Sequence, residues 1–448
     1  MLRLAIEKWD AGLTADATTE LLTGLKGMAS KVRRIGTGFT GCEITFQVLS
    51  ALCDFWAEKY SVTIPIELAF CCELDDEKAA WLQHKHPNCG FIGRDVAELS
   101  RTRAWNRVTN GFDVVPPCDL WLGGFVCVDK SKLNRNRGAH ADGIQTNSGS
   151  TGATFRYARD YLEENKPPAF VLENLKELKI EKVGHELSDL DFVLEELRNI
   201  GYTVSANVYQ ASDYGSLADR ARTWIRGFLG DNQRKIQHCH SMMAMLKTPI
   251  LPPTLYFGEE FEELDLINAS LEEKGGCRVA DPDWGDKHIE AFREAELPYP
   301  PKLSSLPSAL QHALLPLEDR AREVVIFAEK TEPWPKTFRT PQFMDCNLSM
   351  QYLQGSTGNR EFFSETCPTL SGNCKIWVRV QLSESERKWA FLPGWMLMRL
   401  IGYPGLPHDF ENDKLMTSFA GNAFSGFSIG PVLMGFCSTI WNNRLQGS

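Results

Sequence analysis

From residue 33 to about residue 230, short apolar runs alternate with longer stretches whose apolar positions recur every three or four residues. The short runs, rich in β-branched and aromatic residues and bounded by turn residues, read as strands; the longer ones read as amphipathic helices. Strands are predicted at Arg33–Phe39, Ile66–Cys72, Asp119–Phe125, Ala169–Asn174, Thr203–Tyr209 and Thr223–Gly230. Helices are predicted at Ile44–Tyr60, Lys78–His86, Phe155–Glu164 and Ser188–Asn199. This alternation is the signature of an α/β domain with a parallel sheet, because each helix carries the chain back to the same end of the sheet. Around residue 234 the pattern breaks. Residues 235 to about 384 hold Pro-rich punctuation, short strand-like pieces and an acidic stretch, and are predicted to form a separate, irregular module. From Trp389 the helical pattern resumes, and Ile429–Asn442 is predicted to close the core as a helix.

Length and composition narrow the class. A chain of 448 residues buries one large core or two modest ones, and 43% apolar with 24% charged residues is ordinary for a globular protein. No apolar run approaches the roughly 18–20 residues of a membrane span, so no membrane partner is expected. The N-terminus MLRLAIEKWDAGL is too charged for a secretory signal, which predicts an intracellular protein, nuclear if eukaryotic and otherwise cytoplasmic. Thirteen cysteines without a CxxC pair argue for reduced thiols over a disulfide scaffold. His84-Lys85-His86 and His238-Cys239-His240 lack a second ligand pair at finger spacing, so no metal is expected. The net charge of −10 argues against a nucleic-acid binder by itself, but overall charge does not set local fields. Bases cluster at Lys31, Arg33 and Arg34, at Arg101 to Arg107, and at Lys130, Lys132, Arg135 and Arg137. The last group directly follows Cys127, and basic side chains beside a nucleophile suggest a polyanionic substrate.

The candidate chemistry falls at strand ends. Cys127 follows the predicted strand Asp119–Phe125 and its glycine pair Gly123-Gly124, an address at which an α/β sheet presents a nucleophile to its ligand crevice. The plainer reading is a small buried hydrophobe in a turn. After the first strand, Phe39-Thr40-Gly41 forms a Gly-containing turn of the kind that cradles a nucleotide-like ligand. Glu73 ends the second strand, placed to accept ribose hydroxyls, and Asp95 follows about twenty residues later, placed to accept the adenine amino group. Since GxxxxGK[ST] and GxGxxG are both absent, S-adenosylmethionine fits this pocket better than ATP or NAD. Glu173-Asn174 ends a very apolar strand facing the same crevice, or else caps a helix. Arg220 and Arg222, two residues apart, point to one face, where they hold an anion or orient a carbonyl.

In this order and spacing the motifs resemble those of the cytosine-5 DNA methyltransferases, from about Arg33 to Trp224 and again from about Phe391 onward. The resemblance implies a Rossmann-like S-adenosylmethionine-dependent methyltransferase sheet over residues 31–233 and 385–448. It makes residues 234–384 a smaller irregular target-recognition domain. It implies cofactor contacts from Phe39, Thr40, Gly41, Glu73, Leu74, Asp95, Asn422 and Ala423. The family's Pro-Cys nucleophile lands on Cys127, its Glu-Asn-Val motif on Glu173-Asn174-Leu175, and its Gln-x-Arg-x-Arg motif on residues 218–222. Leu400-Ile401-Gly402-Tyr403-Pro404 and Gly421-Asn422-Ala423 resemble the two late motifs. The implied reaction attacks cytosine carbon 6 with Cys127 on a base flipped out of double-stranded DNA, assisted by Glu173, Arg220 and Arg222. Lys130, Ser131, Lys132, Arg135 and Arg137 are then the expected phosphate contacts.

Four positions depart from that pattern. Val126 and Val128 stand where the family has proline and glutamine beside the nucleophile, and Ala218 replaces the glutamine of the arginine motif. Glu43 stands in the cofactor turn, where a carboxylate is expected to repel the methionine carboxylate of the cofactor. Two other readings therefore remain beside an active DNA methyltransferase. One is a catalytically weak relative that binds DNA or cofactor in a regulatory role; the other is an RNA cytosine-5 methyltransferase.

Overall fold

The computed structural model describes residues 1–127, 129, 143–146, 148–180, 187–269, 282–335, 337–347, 349, 362–405 and 412–442. Its centre is a nine-stranded mixed sheet in the order β5-β4-β3-β2-β1-β6-β7-β9-β8. The strands are β1 (Arg33–Gly38), β2 (Ile66–Cys72), β3 (Ile92–Gly93), β4 (Arg103–Asn106), β5 (Gly111–Val114), β6 (Leu120–Gly123), β7 (Ala169–Leu175), β8 (Tyr202–Gln210) and β9 (Ala221–Leu229). The five central strands, β3-β2-β1-β6-β7, are parallel. Both edges add antiparallel strands to the expected parallel sheet: β4 and β5 form a hairpin, and β9 runs against both β7 and β8. The connections explain this. Four residues join β4 to β5 and ten join β8 to β9 without a helical crossover, and such short links favour antiparallel pairing.

The helices follow as α1 (Leu2–Ala11), α2 (Ala15–Met28), α3 (Ile44–Tyr60), α4 (Asp76–Lys85), α5 (Gly149–Asn165), α6 (Asp189–Asn199) and α7 (Gln233–Met245). Beyond them come α8 (Glu262–Ala269), α9 (Pro282–Glu294), α10 (Ser308–Ala313) and α11 (Asp319–Thr331). The chain then runs through α12 (Gly394–Leu400), α13 (Asp413–Asn422) and α14 (Gly426–Ile440). Every residue of α14 is buried, because it lies among α2, α3 and α7 and has no polar face to offer water. The N-terminal helices also belong to this unit: Trp9 is fully buried and its indole N–H donates to Tyr214 O at 3.0 Å. The break expected at residue 234 falls before α7, yet α7 packs on α14, β8 and β9.

A second sheet of three antiparallel strands, β10 (Gln342–Asp345), β11 (Ile376–Gln381) and β12 (Arg387–Phe391), has its own core of Val324, Val325, Met344, Trp377 and Trp389. Register pairing of Trp389 with Arg379 keeps β12 in this smaller unit, although the sequence pattern assigned residues from 385 onward to the first.

Candidate active site

The chain leaves β1 outward to β2 and β3, then returns to β6 on the other side of β1. That reversal opens a crevice at the carboxyl ends of β1 and β6, the place where α/β sheets bind ligands. The turn after β1, the Cys127 loop after β6 and the Glu173-Asn174 end of β7 all converge there. Arg222 enters from antiparallel β9, opposite Leu175.

The turn after β1 is shaped by left-handed backbone at Phe39 (φ 55°), Gly41 (φ 58°) and Glu43 (φ 57°). Gly41 suits this conformation and leaves open space where a β-carbon would project. Its N–H donates to Glu73 Oε2 at 2.8 Å, while Glu73 Oε1 accepts from Asp75 N–H at 3.0 Å. Thr40 fastens the turn to the end of β2, donating from N–H to Cys72 O and accepting from Cys72 N–H at Oγ1, both at 3.0 Å. Asn422 and Ala423, at the end of α13, line one small cleft with Thr37, Phe39, Thr40 and Phe424. Asp95 follows β3, half-buried, and caps a short helical turn through Ala97 N–H at 2.9 Å. Leu74 is mostly exposed. Arg107, one of the bases counted in the sequence only as part of a cluster, braces this edge by donating to Leu74 O at 3.0 Å and Glu73 O at 3.3 Å. An open left-handed turn with carboxylates at two successive strand ends fits an adenosyl group, with Glu73 and Asp95 as acceptors.

Glu43 does not face the ligand side as expected. Its carboxylate turns inward, buried, accepting from Thr37 Oγ1 at 2.5 Å, Thr45 Oγ1 at 2.6 Å and Phe46 N–H at 3.0 Å. It is the N-cap of α3. Burial pushes its pKa up, against the three hydrogen bonds that favour the carboxylate.

Cys127 is half-buried, whereas the other described cysteines are buried. Burial raises its thiol pKa, and so does the neighbouring Glu173; Arg222 and Arg220 pull it down without prevailing. Glu173 Oε1 pairs with Arg222 Nε at 2.9 Å, both side chains nearly buried. Asn174 Nδ2 donates to Phe125 O at 2.8 Å, holding the backbone two residues before the thiol. Arg220 is buried and donates to three carbonyls: Leu370 at 3.3 Å, Gly421 at 3.2 Å and Ala423 at 2.6 Å. Burial lowers its pKa to about 9, with Arg222 adding to the effect. Arg220 is thus a positioning residue that ties the arginine motif to the segment before β11 and to the end of α13. Ala218 is buried in the same connection, and the next residue donates from Asp219 N–H to Cys367 O at 2.7 Å.

The loop around Cys127 has anchors that carried no signal in the sequence. Val126 N–H donates to Thr154 Oγ1 at 3.1 Å, and Asp129 Oδ2 accepts from Thr151 N–H at 2.7 Å at the start of α5. Their pairing depends on α5 folding back over the loop, and a pattern of apolar positions does not report it. Lys130, Ser131, Lys132, Arg135 and Arg137 lie outside the described residues, as does Val128. The Lys31 and Arg34 cluster sits at the opposite, amino-terminal end of the sheet. There Asp119 takes Lys31 Nζ at 3.1 Å and Arg34 N–H at 2.9 Å. Among the described residues no group of three potential metal ligands forms.

The chain has recognisable relatives among known proteins. The family described as C-5 cytosine-specific DNA methylase matches residues 55–286. The chain is 28% identical over 173 residues to the DNA (cytosine-5-)-methyltransferase DMT5 of Cryptococcus neoformans, covering 39% of this chain and 7% of that protein. It is 32% identical over 124 residues to type II methyltransferase M.SsoII of Shigella sonnei (28% of this chain, 30% of that one). It is 34% identical over 169 residues to M.NlaX of Neisseria lactamica (37% and 45%). The chain therefore spans less than half the length of these relatives. Among solved structures, an S. pombe Dnmt2 methyltransferase aligns over 91% of this chain and 98% of its own, at 12% identity and a TM-score of 0.44.

Proposed function

The chain belongs to the C-5 cytosine-specific DNA methylase family, and from that premise we propose that it methylates carbon 5 of cytosine in double-stranded DNA through a covalent Cys127 adduct. The observation that carries the reading is the convergence of the half-buried Cys127 thiol and the Glu173–Arg222 ion pair at 2.9 Å at the carboxyl ends of β6 and β7. S-adenosylmethionine, when held by Phe39, Thr40, Gly41, Glu73, Asp95, Asn422 and Ala423, supplies an electrophilic methyl group.

Cytosine carbon 5 is a poor nucleophile until a thiolate adds to carbon 6. Cys127 makes that bond, and Glu173 donates a proton to ring nitrogen 3, so the electron pair collects at carbon 5. Arg222 holds the ring carbonyl oxygen. After methylation a base removes the carbon-5 proton, Cys127 departs with its bonding pair, and nitrogen 3 returns its proton to Glu173, restoring the neutral ring. A stacked base does not reach these groups, so the cytosine is extruded from the duplex. Burial and the neighbouring Glu173 hold the thiol pKa up, and Arg222 and Arg220 pull it down.

The test is covalent trapping. With S-adenosylmethionine present, a duplex carrying 5-fluorocytosine should give a stable protein–DNA adduct that Cys127→Ser abolishes. No adduct on any duplex, with cofactor binding shown by calorimetry, overturns the enzymatic reading in favour of a regulatory one. An adduct on 5-fluorocytosine RNA alone overturns the DNA assignment.

A further inference from the structure

We propose that Thr154 is a positioning residue for Cys127, supplying in this chain the backbone restraint that the family's proline supplies by its ring. This rests on Cys127 being the attacking group. A proline at position 126 would have a fixed φ and no N–H. Val126 has a φ that no ring fixes and an N–H that needs a partner in a half-buried loop. Thr154 provides that partner, with Oγ1 3.1 Å from Val126 N. The hydroxyl's single proton is committed elsewhere, to Ser150 O at 2.7 Å, so the oxygen faces the loop as an acceptor.

One turn earlier on the same helix, fully buried Thr151 grips the far side of the thiol. Its N–H donates to Asp129 Oδ2 at 2.7 Å, and its Oγ1 accepts from Asp129 N–H at 3.3 Å. Thr151 and Thr154 are three residues apart and so share one face of α5. They hold the chain immediately before and two residues after Cys127. Asn174 holds Phe125 O from the opposite side at 2.8 Å. The thiol is thereby suspended between two helix-borne anchors and one strand-borne anchor, and Thr154 is the one whose partner N–H exists only because position 126 is not proline.

The experiment compares the full chain with Thr154→Val, Val126→Pro and the double variant. It measures kcat and KM for methyl transfer, and the rate of Cys127 alkylation by iodoacetamide across pH, followed on the Cys127 peptide by mass spectrometry. Thr154→Val should lower kcat about tenfold or more, the scale of a small misplacement of a reacting group, with KM for S-adenosylmethionine unchanged. It should also change Cys127 alkylation severalfold, while Thr154→Ser behaves as the parent. In the Val126→Pro background, Thr154→Val should cost nothing further by either measure. Equal losses in both backgrounds overturn the proposal, as does an alkylation rate identical in all the proteins. If Thr154→Val does not fold, Thr154→Ala takes its place in the same cycle. Failure of the parent to methylate or form an adduct would count against the proposed function, and the alkylation comparison would still decide the role of Thr154.

Discussion

Replacing Glu173 by glutamine should move two measurements in opposite directions. Methyl transfer should fall by roughly 10²- to 10⁴-fold, the usual size of a lost proton-transfer group. Alkylation of Cys127 at pH 8 should become faster. The carboxylate is the principal neighbouring charge that raises the thiol pKa, second only to burial, and the amide carries no charge. Arg222 also loses the partner that it holds at 2.9 Å, so two guanidinium groups face the sulfur without a compensating anion. The sign is fixed by the reactive form: only the thiolate attacks, so alkylation climbs with pH through the thiol pKa. In the parent chain that midpoint lies above the ordinary thiol range, and in Glu173→Gln it should move down. Slower alkylation in the variant would show that Glu173 acts on Cys127 by placement, not by charge.

The second large effect is expected at Gly421→Ala, in stability. A β-carbon there would lie 2.0 Å from Ser371 C and 2.2 Å from Gly372 N, both backbone atoms that no side-chain rotation can move aside. Forcing atoms into so close a contact displaces backbone, and the cost should be about 3 kcal/mol, the upper part of the range for overpacked cores. Urea unfolding read by tryptophan fluorescence measures it. The displaced segment carries Leu370 O, and the substituted turn carries Gly421 O, two of the three carbonyls that hold Arg220. Activity should therefore fall along with stability. An alanine variant as stable as the parent would mean that the end of α13 and residues 371–372 do not pack as closely as described.

Much of the central sheet was legible in the chain because its strands are apolar on both faces and its helices have a regular apolar stripe. Ile44–Tyr60 and Ile66–Cys72 coincide with their predicted spans, and the closing helix begins three residues before its predicted start and ends two earlier. The missed strands of this sheet are short. β3 has two residues and β4 and β5 four each, too few for a period to register. The antiparallel entry of β9 was hidden because a buried strand reads the same in either direction.

The site divides along the same line. The sequence by itself determined which groups stand at strand ends, since a reactive side chain just after an apolar run has no other address in an α/β sheet: Cys127, Glu173, Glu73 and the turn at Gly41 follow from that rule. Only the tertiary structure decided what those groups do to one another. Glu43 appeared in the sequence as an unwanted charge beside the cofactor and turned out to cap α3, because the left-handed backbone at its own position swings the carboxylate inward. Arg220 appeared as a second anion-holding arginine and became a tether for Leu370, Gly421 and Ala423, up to 203 residues distant in sequence. Val126 appeared as a lost proline, and α5 folding over it supplied Thr154. The physical reason is common to all three. Strand and helix periodicity is a local property of the chain, whereas a hydrogen bond between residues tens or hundreds of positions apart exists only once packing has brought donor and acceptor to within about 3 Å.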